Sequence, residues 1–88
     1  MIAKRFLISG RVQGVGFRYF AECAAREVGV SGWVRNLDDG RVEVHANGSA
    51  EQLSELAARL RMGPPRADVR GFEAFETPLM RSPGFHIS

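Results

Sequence analysis

The spacing of apolar and polar residues predicts a strand followed by a helix in the first third of the chain. Residues 5–12 alternate, with Phe6 and Ile8 on one face, which is the period of a β-strand. From Phe17 the apolar residues recur at helical spacing, and Gly29 provides a stop because glycine readily adopts the left-handed conformation at a helix end. The apolar stripe of this helix consists of Phe17, Phe20, Ala21, Ala24, Ala25 and Val28.

A hairpin and a second helix are predicted next. Segments 31–37 and 41–47 are rich in valine, and the Asp39-Gly40 step between them tolerates the positive φ angles of a tight turn. Ser49 and Gln52 have the spacing of a capping box, so we expect a helix to begin there. This helix has an apolar stripe of Leu53, Leu56, Ala57 and Leu60, and it stops at Gly63-Pro64-Pro65.

The last third of the chain predicts a fourth strand over residues 67–76 and a short edge strand at 85–87. In the fourth strand, Val69, Phe72 and Phe75 cannot all face one way without a bulge or an end effect. The order strand, helix, strand, strand, helix, strand predicts an α+β fold, a ferredoxin-like split βαβ sandwich with two helices on one face of an antiparallel sheet. We expect one domain over residues 1–88. Because many unrelated functions share this fold, the function has to be inferred from a site.

The most informative segment joins the first strand to the first helix and reads Gln13-Gly14-Val15-Gly16. It offers no Ser, Thr, Asp or Asn to cap the free N–H groups at the helix start. The first helical turn, from Phe17, contains Arg18, whose charge is unfavourable at the positive end of the helix dipole. An anion bound there would accept hydrogen bonds from these N–H groups and would neutralise the arginine. The loop therefore predicts a phosphate site, while a glycine-capped and solvated helix start is the alternative that the loop alone leaves open.

The loop does not match the common nucleotide-binding loops. A dinucleotide fingerprint would need Gly or Ala at the position of Tyr19, and an ATP or GTP loop would need Gly-Lys-Ser/Thr, whereas Lys4 is the only lysine. His45 and His86 have no Cys or carboxylate at metal-ligand spacing, so we interpret both as ordinary strand residues. We therefore expect no cofactor and no metal.

Asn36 is the second candidate site residue. Asparagine is disfavoured in strands, yet it lies near the end of the segment Gly32-Trp33-Val34-Arg35-Asn36-Leu37, just before the hairpin turn. The other interpretation is a strand-end residue that helps the chain to turn, and turn chemistry favours that interpretation when Asn36 is considered alone.

Composition and charge distribution indicate which partners and which cellular compartment to expect. The formal net charge of +2 comes from 12 basic and 10 acidic residues that are spread along the whole chain. There is no basic block of the kind that binds nucleic acid or a membrane surface, and no run with the length of a membrane span or the apolar core of a signal peptide. The single Cys23 cannot form an internal disulfide, which fits a reducing cytoplasm. We expect a cytoplasmic protein that binds neither nucleic acid nor membrane.

Taken together, these motifs resemble the acylphosphatase family. The likeness joins Val12-Gln13-Gly14-Val15-Gly16-Phe17-Arg18 to Gly32-Trp33-Val34-Arg35-Asn36 and Asp39-Gly40, and it continues through Gly63-Pro64-Pro65 to Phe85-His86-Ile87. It covers nearly the full chain, and the paired motifs at this spacing are highly specific. The resemblance implies hydrolysis of the carboxyl–phosphate anhydride bond of an acyl phosphate, which gives a carboxylate and inorganic phosphate.

The resemblance also implies the roles of the site residues. Arg18 and Asn36 are the catalytic residues that it implies, Arg18 binding the phosphoryl group and Asn36 orienting the attacking water. The backbone that binds phosphate comprises Gln13, Gly14, Val15, Gly16, Phe17 and Arg18. We expect a monomer whose partners are a small-molecule acyl phosphate and inorganic phosphate, the latter as product and inhibitor.

Other functions fit the residues less well. Cys23 lacks the five-residue spacing to an arginine that a cysteine phosphatase loop has, so a buried inert thiol is expected. The hairpin turn explains the paired carboxylates Asp38 and Asp39. The segment Arg70-Gly71-Phe72-Glu73-Ala74-Phe75 is similar to an RNA-recognition strand, but it falls on the fourth strand and Glu73 repels phosphate. The first domain of hydrogenase maturation factors has an acylphosphatase fold without the activity, and those longer proteins continue into zinc-finger segments that are not found here.

Overall fold

The computed structural model describes all of residues 1–88 and contains five strands and two helices. The elements are β1 (Ile2–Arg11), α1 (Phe17–Val28), β2 (Ser31–Asn36), β3 (Val42–Gly48), α2 (Ala50–Met62), β4 (Asp68–Thr77) and β5 (Phe85–Ile87). The predicted order of elements is confirmed, including the short strand near the end of the chain. Neither helix is long and apolar enough to cross a membrane.

The strands form one sheet in the order β4-β1-β3-β2-β5. The first four strands pair antiparallel, as predicted, but β5 pairs parallel with β2, so the sheet is mixed. The reason is the route of the connection between β4 and β5. This connection passes from one edge of the sheet to the other at the end where β4 finishes, so β5 begins at that end and runs in the same direction as β2.

The two helices cover one face of the sheet and enclose the core. The predicted apolar faces are confirmed, because Phe6 and Ile8 of β1 pack with Ala21 of α1 and Leu56 of α2 in one buried cluster. Gly29 ends α1 with a φ of 92°, and Ser49 and Gln52 form the predicted capping box at the start of α2. The helices therefore begin and end where the sequence predicts.

A bulge explains the irregular pattern of β4. The pairing register with β1 shifts between Ser9 and Gly10, so Arg70 is left out of the regular pairing. Val69 and Phe72 can then both pack against the core, while Phe75 lies on the other face and is exposed. At the bulge, Gly10 has a φ of 116°, and a Cβ there would lie 2.2 Å from the Asp68 carbonyl oxygen, so only glycine fits.

The face of the sheet without helices carries a buried carboxylate that two partly exposed arginines pair with. The Glu43 carboxylate pairs with Arg5 and with Arg35, and the Arg35 Nε lies 2.6 Å from Glu43 Oε1. Burial raises the pKa of Glu43, but the hydrogen bonds and charges of the two guanidinium groups outweigh it, so the net pKa is lowered. His45 lies beside these side chains and stacks on Trp33 with ring centroids 5.6 Å apart.

Candidate functional site

Three parts of the chain meet at one end of the sheet. Strands β1, β2 and β5 run in the same direction, so the loop after β1, the last residue of β2 and the end of β5 all lie at the same end. A cavity of about 270 Å³ is found there. It is lined by Val12, Gly14, Gly16, Phe17, Arg18, Tyr19, Asn36 and Ile87. The structure thus brings Arg18 and Asn36 together, although 17 residues separate them in the chain.

The loop between β1 and α1 presents free backbone donors. Gly14 and Gly16 have φ angles of 73° and 80°, in the left-handed region that favours glycine. Outside the regular elements, no backbone hydrogen bond has its donor between residues 13 and 19. The first N–H groups of a helix lack partners within the helix. The loop and first turn therefore carry unpaired donors beside the cavity.

The start of α1 differs from the start of α2 in the way that the sequence predicts. Gly16 occupies the cap position of α1 without any side-chain hydrogen bond, and the first turn contains no acidic residue. In α2, by contrast, the Ser49 side chain accepts a hydrogen bond from the Gln52 N–H at 3.1 Å. The first turn of α1 is therefore a positive helix end that the protein itself leaves uncompensated.

Arg18 is exposed and pairs with no carboxylate. Six other arginines each form a salt bridge: Arg5, Arg26, Arg35, Arg41, Arg59 and Arg70. The only hydrogen bond of the Arg18 side chain is a long one, in which Nη1 donates to the Ser88 backbone oxygen at 3.4 Å. A planar guanidinium group without an ionic partner is thus available next to the free N–H groups.

Asn36 is the last residue of β2, where it pairs with Val42 of β3. Its Oδ1 is buried and has no hydrogen-bond partner within the protein, and it is the only buried side-chain nitrogen or oxygen atom in this condition. An unpaired buried acceptor is costly, which points to a role beyond that of a turn residue. Asn36 is also one of the residues that line the cavity.

The predicted phosphate loop differs in detail from the lining of the cavity. Gly14, Gly16, Phe17 and Arg18 line the cavity, whereas Val15 is buried in the apolar core and Gln13 does not line it. The sequence did not point to Val12, Tyr19 or Ile87 as wall residues. Ile87 lies at the site because β5 pairs parallel with β2. The sequence of a three-residue strand does not show which other strand it pairs with.

The other polar candidates lie outside the cavity. Asp39 belongs to the hairpin turn, as predicted, where its carboxylate accepts hydrogen bonds from Arg41 N–H at 3.1 Å and Nε at 2.8 Å. The hydrogen bond from the Arg41 backbone is the main reason that the pKa of Asp39 is lowered.

Cys23 is only partly buried in α1, because it lies beside the apolar stripe rather than on it, and so the expectation of a buried thiol was wrong. The neighbouring Cys23 thiol raises the pKa of the exposed Tyr19 hydroxyl.

Two other features of the structure, a larger cleft and the aromatic residues of β4, lack the properties of a ligand site. A larger cleft of about 450 Å³ contains Arg26, but that side chain already pairs with Glu22 at 3.3 Å. In β4, Phe72 packs on Phe6 with ring centroids 5.6 Å apart, whereas Phe75 lies on the opposite face. The aromatic residues of this strand therefore form no common platform on which RNA bases could stack. No group of three or more His, Cys, Asp or Glu side chains is arranged to hold a metal ion.

Comparison with known proteins shows the family of this chain. The family model described as Acylphosphatase matches residues 4–87. The chain belongs to the acylphosphatase family. It is 52% identical to the acylphosphatase of Solibacter usitatus over 97% of this chain and 88% of the relative.

Solved structures show the same relationship. The crystal structure of acylphosphatase from Bacillus subtilis is 38% identical and superposes with a TM-score of 0.96, covering 100% of this chain and 99% of that one. A segment of T. kodakarensis HypF is 31% identical with a TM-score of 0.89, but the likeness covers 12% of that longer chain. The fold is thus the ferredoxin-like fold of the acylphosphatases. As a member of this family, the chain is a hydrolase that acts on a small-molecule acyl phosphate.

Proposed function

We propose that the chain hydrolyses acyl phosphates in the cavity at the end of β1, β2 and β5, with Arg18 and Asn36 as its catalytic residues. The observation that carries this proposal is the convergence of three unpaired groups on one cavity. These are the free N–H groups of the loop and first turn, the guanidinium group of Arg18 and the side chain of Asn36, whose buried Oδ1 has no partner within the protein. The residues that bind the phosphoryl oxygens are the loop from Gln13 to Phe17, through its backbone, and Arg18.

The charge of the phosphoryl group explains why donors of this kind suffice. In phosphoryl transfer, catalysis depends mainly on positioning and on balancing the charge over the three transferring oxygens. Backbone N–H groups at a helix start supply a fixed positive potential. Arg18 adds a planar pair of donors that suits two oxygens of one phosphoryl group. These groups do the work that Mg²⁺ does in many phosphoryl-transfer enzymes, so the proposed reaction needs no metal.

The proposed step is an in-line displacement at phosphorus. The oxygen of a water molecule forms a bond to phosphorus while the bond from phosphorus to the acyl oxygen breaks, and its electron pair leaves with the carboxylate. A carboxylate is a good leaving group, so no general acid is required. Asn36 Oδ1 accepts a hydrogen bond from the water and thereby orients its lone pair. The proton of the water passes to a phosphoryl oxygen, which gives inorganic phosphate.

The same contacts predict product inhibition. Inorganic phosphate has the charge and the oxygens of the transferred group, so it binds to the loop and Arg18 and competes with substrate. We propose that the active unit is one monomeric domain spanning residues 1–88, because one chain supplies every group of the site. We place it in the cytoplasm, where its single cysteine stays reduced.

The test of this proposal is the Asn36→Ala variant. Turnover of acetyl phosphate should fall by about 10²-fold, the size expected when a reacting group loses its placement. The affinity for inorganic phosphate should change much less, because the loop and Arg18 are intact. Phosphate release, phosphate inhibition and thermal stability are measured on one preparation. Near-normal turnover, with or without a lower melting temperature, would return Asn36 to a purely structural role in the turn.

A second variant tests the anion site separately. In Arg18→Ala, both turnover and inhibition by inorganic phosphate should be lost. Inhibition that persists unchanged in this variant would refute the placement of the phosphoryl group. Arg66→Ala is a matched control, because Arg66 is an exposed arginine that does not line the cavity, and its kinetics should equal those of the unaltered chain.

A further inference from the structure

The Gln13 side chain connects the loop to the β2–β3 hairpin. Its Nε2 donates to the Leu37 carbonyl oxygen at 2.8 Å and to the Arg41 carbonyl oxygen at 3.0 Å. Both hydrogens of the side-chain amide are therefore used. The two bonds span 24 and 28 residues of sequence, so they are tertiary contacts rather than local ones.

The two carbonyl groups belong to the residues that close the hairpin. The Leu37 N–H donates to the Arg41 carbonyl oxygen at 2.8 Å, and the Gly40 N–H donates to the Leu37 carbonyl oxygen at 3.2 Å. Gln13 thus binds the base of the turn. The Leu37 N–H lies in the peptide unit that joins Leu37 to Asn36, and it donates to the same Arg41 carbonyl oxygen that Gln13 binds, so the base of the turn is connected to the main chain of Asn36.

Asn36 needs such support because its own oxygen makes no bond that would hold it. Oδ1 has no partner within the protein, so the position of the side chain follows from the position of the strand end. Gln13 immediately precedes Gly14, the first residue of the loop that lines the cavity. One residue is therefore attached to both halves of the site, the anion loop through its backbone and the Asn36 strand end through its side chain.

We infer that Gln13 is a positioning residue for the hydrolysis, whose side-chain amide sets the distance between the Asn36-bound water and the phosphoryl group on the loop. This inference rests on the proposed function of the site. Near-attack geometry requires the reacting atoms to be about 3–3.5 Å apart, and a misplacement of about 1 Å can cost about 10²-fold in rate. Loss of the amide should therefore lower kcat and leave phosphate binding nearly unchanged.

The experiment compares Gln13→Met with Gln52→Met. Methionine is unbranched like glutamine but cannot donate, so it removes both bonds to the hairpin. Gln52 is the matched control, because its Nε2 also joins two carbonyl groups, those of Val28 at 3.2 Å and Gly29 at 3.5 Å, at the far end of α1. We expect kcat for acetyl phosphate to fall by about 10-fold to 100-fold in Gln13→Met. In Gln52→Met, the melting temperature should fall while kcat per folded molecule stays normal.

The double variant with Asn36→Ala shows whether Gln13 acts through Asn36. Effects of residues in one network are not additive, so Gln13→Met should add little to the loss of kcat once Asn36 is removed. If Asn36→Ala is slow and Gln13→Met has normal kcat, or if the two losses multiply, the inference about Gln13 is wrong and the proposed function stands. Normal turnover in Asn36→Ala would overturn both. Should Gln13→Met fail to fold, Gln13→Asn replaces it, since this amide is one methylene too short to reach the hairpin, and a normal kcat there is equally decisive against the inference.

Discussion

Replacing Gly16 with alanine separates the strain of the loop from its function. Gly16 has a φ of 80°, and a Cβ there would meet no atom within 4 Å, so Gly16→Ala introduces backbone strain without a clash in the free protein. An alanine in the left-handed region costs about 1–2 kcal/mol, and the smaller entropy of the unfolded chain offsets about 0.4–1 kcal/mol of this. The net loss of about 1 kcal/mol should lower the melting temperature of a domain of this size by about 4–8 °C.

The chain offers a matched control in Gly84, which has a φ of 82° and equally open surroundings. Gly84 precedes β5 at the opposite end of the sheet, so Gly84→Ala should cause the same loss of stability without touching the site. In Gly16→Ala, the chain can relieve strain by rotating the peptide groups next to position 16, which turns N–H donors away from the anion. A hydrogen bond to a charged group contributes about 1.5–3 kcal/mol, so losing one should raise the inhibition constant of phosphate by about 10-fold to 100-fold.

Thermal unfolding and phosphate inhibition of acetyl phosphate hydrolysis measure the two effects on the same samples. Equal melting temperatures with weaker phosphate inhibition only in Gly16→Ala support the role of the loop backbone. If both variants lose the same stability and both keep normal phosphate inhibition, the left-handed geometry at Gly16 has no part in binding the anion. If Gly84→Ala loses inhibition to the same degree, the effect of Gly16→Ala is a general one and the argument fails.

Three other predictions follow from the groups around the site and the sheet. Arg18→Lys should lower kcat/KM by about 10³-fold, because a point charge cannot reproduce the planar fork of donors. A kcat/KM equal to that of the unaltered chain in steady-state assays would contradict this prediction. Full activity should remain in excess chelator, and a strict requirement for added Mg²⁺ would mean that the site is wrongly described. Glu43→Gln should lower the free energy of unfolding by about 1–3 kcal/mol at neutral pH. Because folding lowers the pKa of Glu43, its contribution is complete above the unfolded value of about 4.3 and is lost as the pH falls through the folded value, so denaturation curves of the variant and the unaltered chain should converge in acid.

Local patterns predicted the helices and the hairpin, and they indicated a bulge or an end effect in β4, because each depends on residues close in sequence. The apolar stripe and Gly29 define α1, and the mismatch among Val69, Phe72 and Phe75 indicates the bulge in β4. The loop and Asn36 were identified because each violates a local rule, and local rules tend to fail at functional sites.

Features that depend on pairing between distant segments were not predictable in this way. The parallel pairing of β5 with β2, and with it the position of Ile87 in the cavity wall, follows from the path of the connection between β4 and β5. The hydrogen bonds of the Gln13 side chain, on which its proposed role rests, reach a hairpin that begins 24 residues further along the chain. Val15 looks like part of an exposed loop in the sequence, yet the turn of the backbone places it in the core.

The uncapped start of α1 has a consequence for how this site responds to mutation. Its donors are main-chain N–H groups, which every residue except proline possesses, so truncating side chains in the loop leaves the donors in place. Alanine substitutions at Val15 and Phe17 would therefore underestimate the proposed role of the loop, because they remove side chains and keep every main-chain donor. The contribution of the loop to anion binding becomes visible when the backbone itself is altered, by alanine at Gly16, by proline or by replacing a peptide bond with an ester.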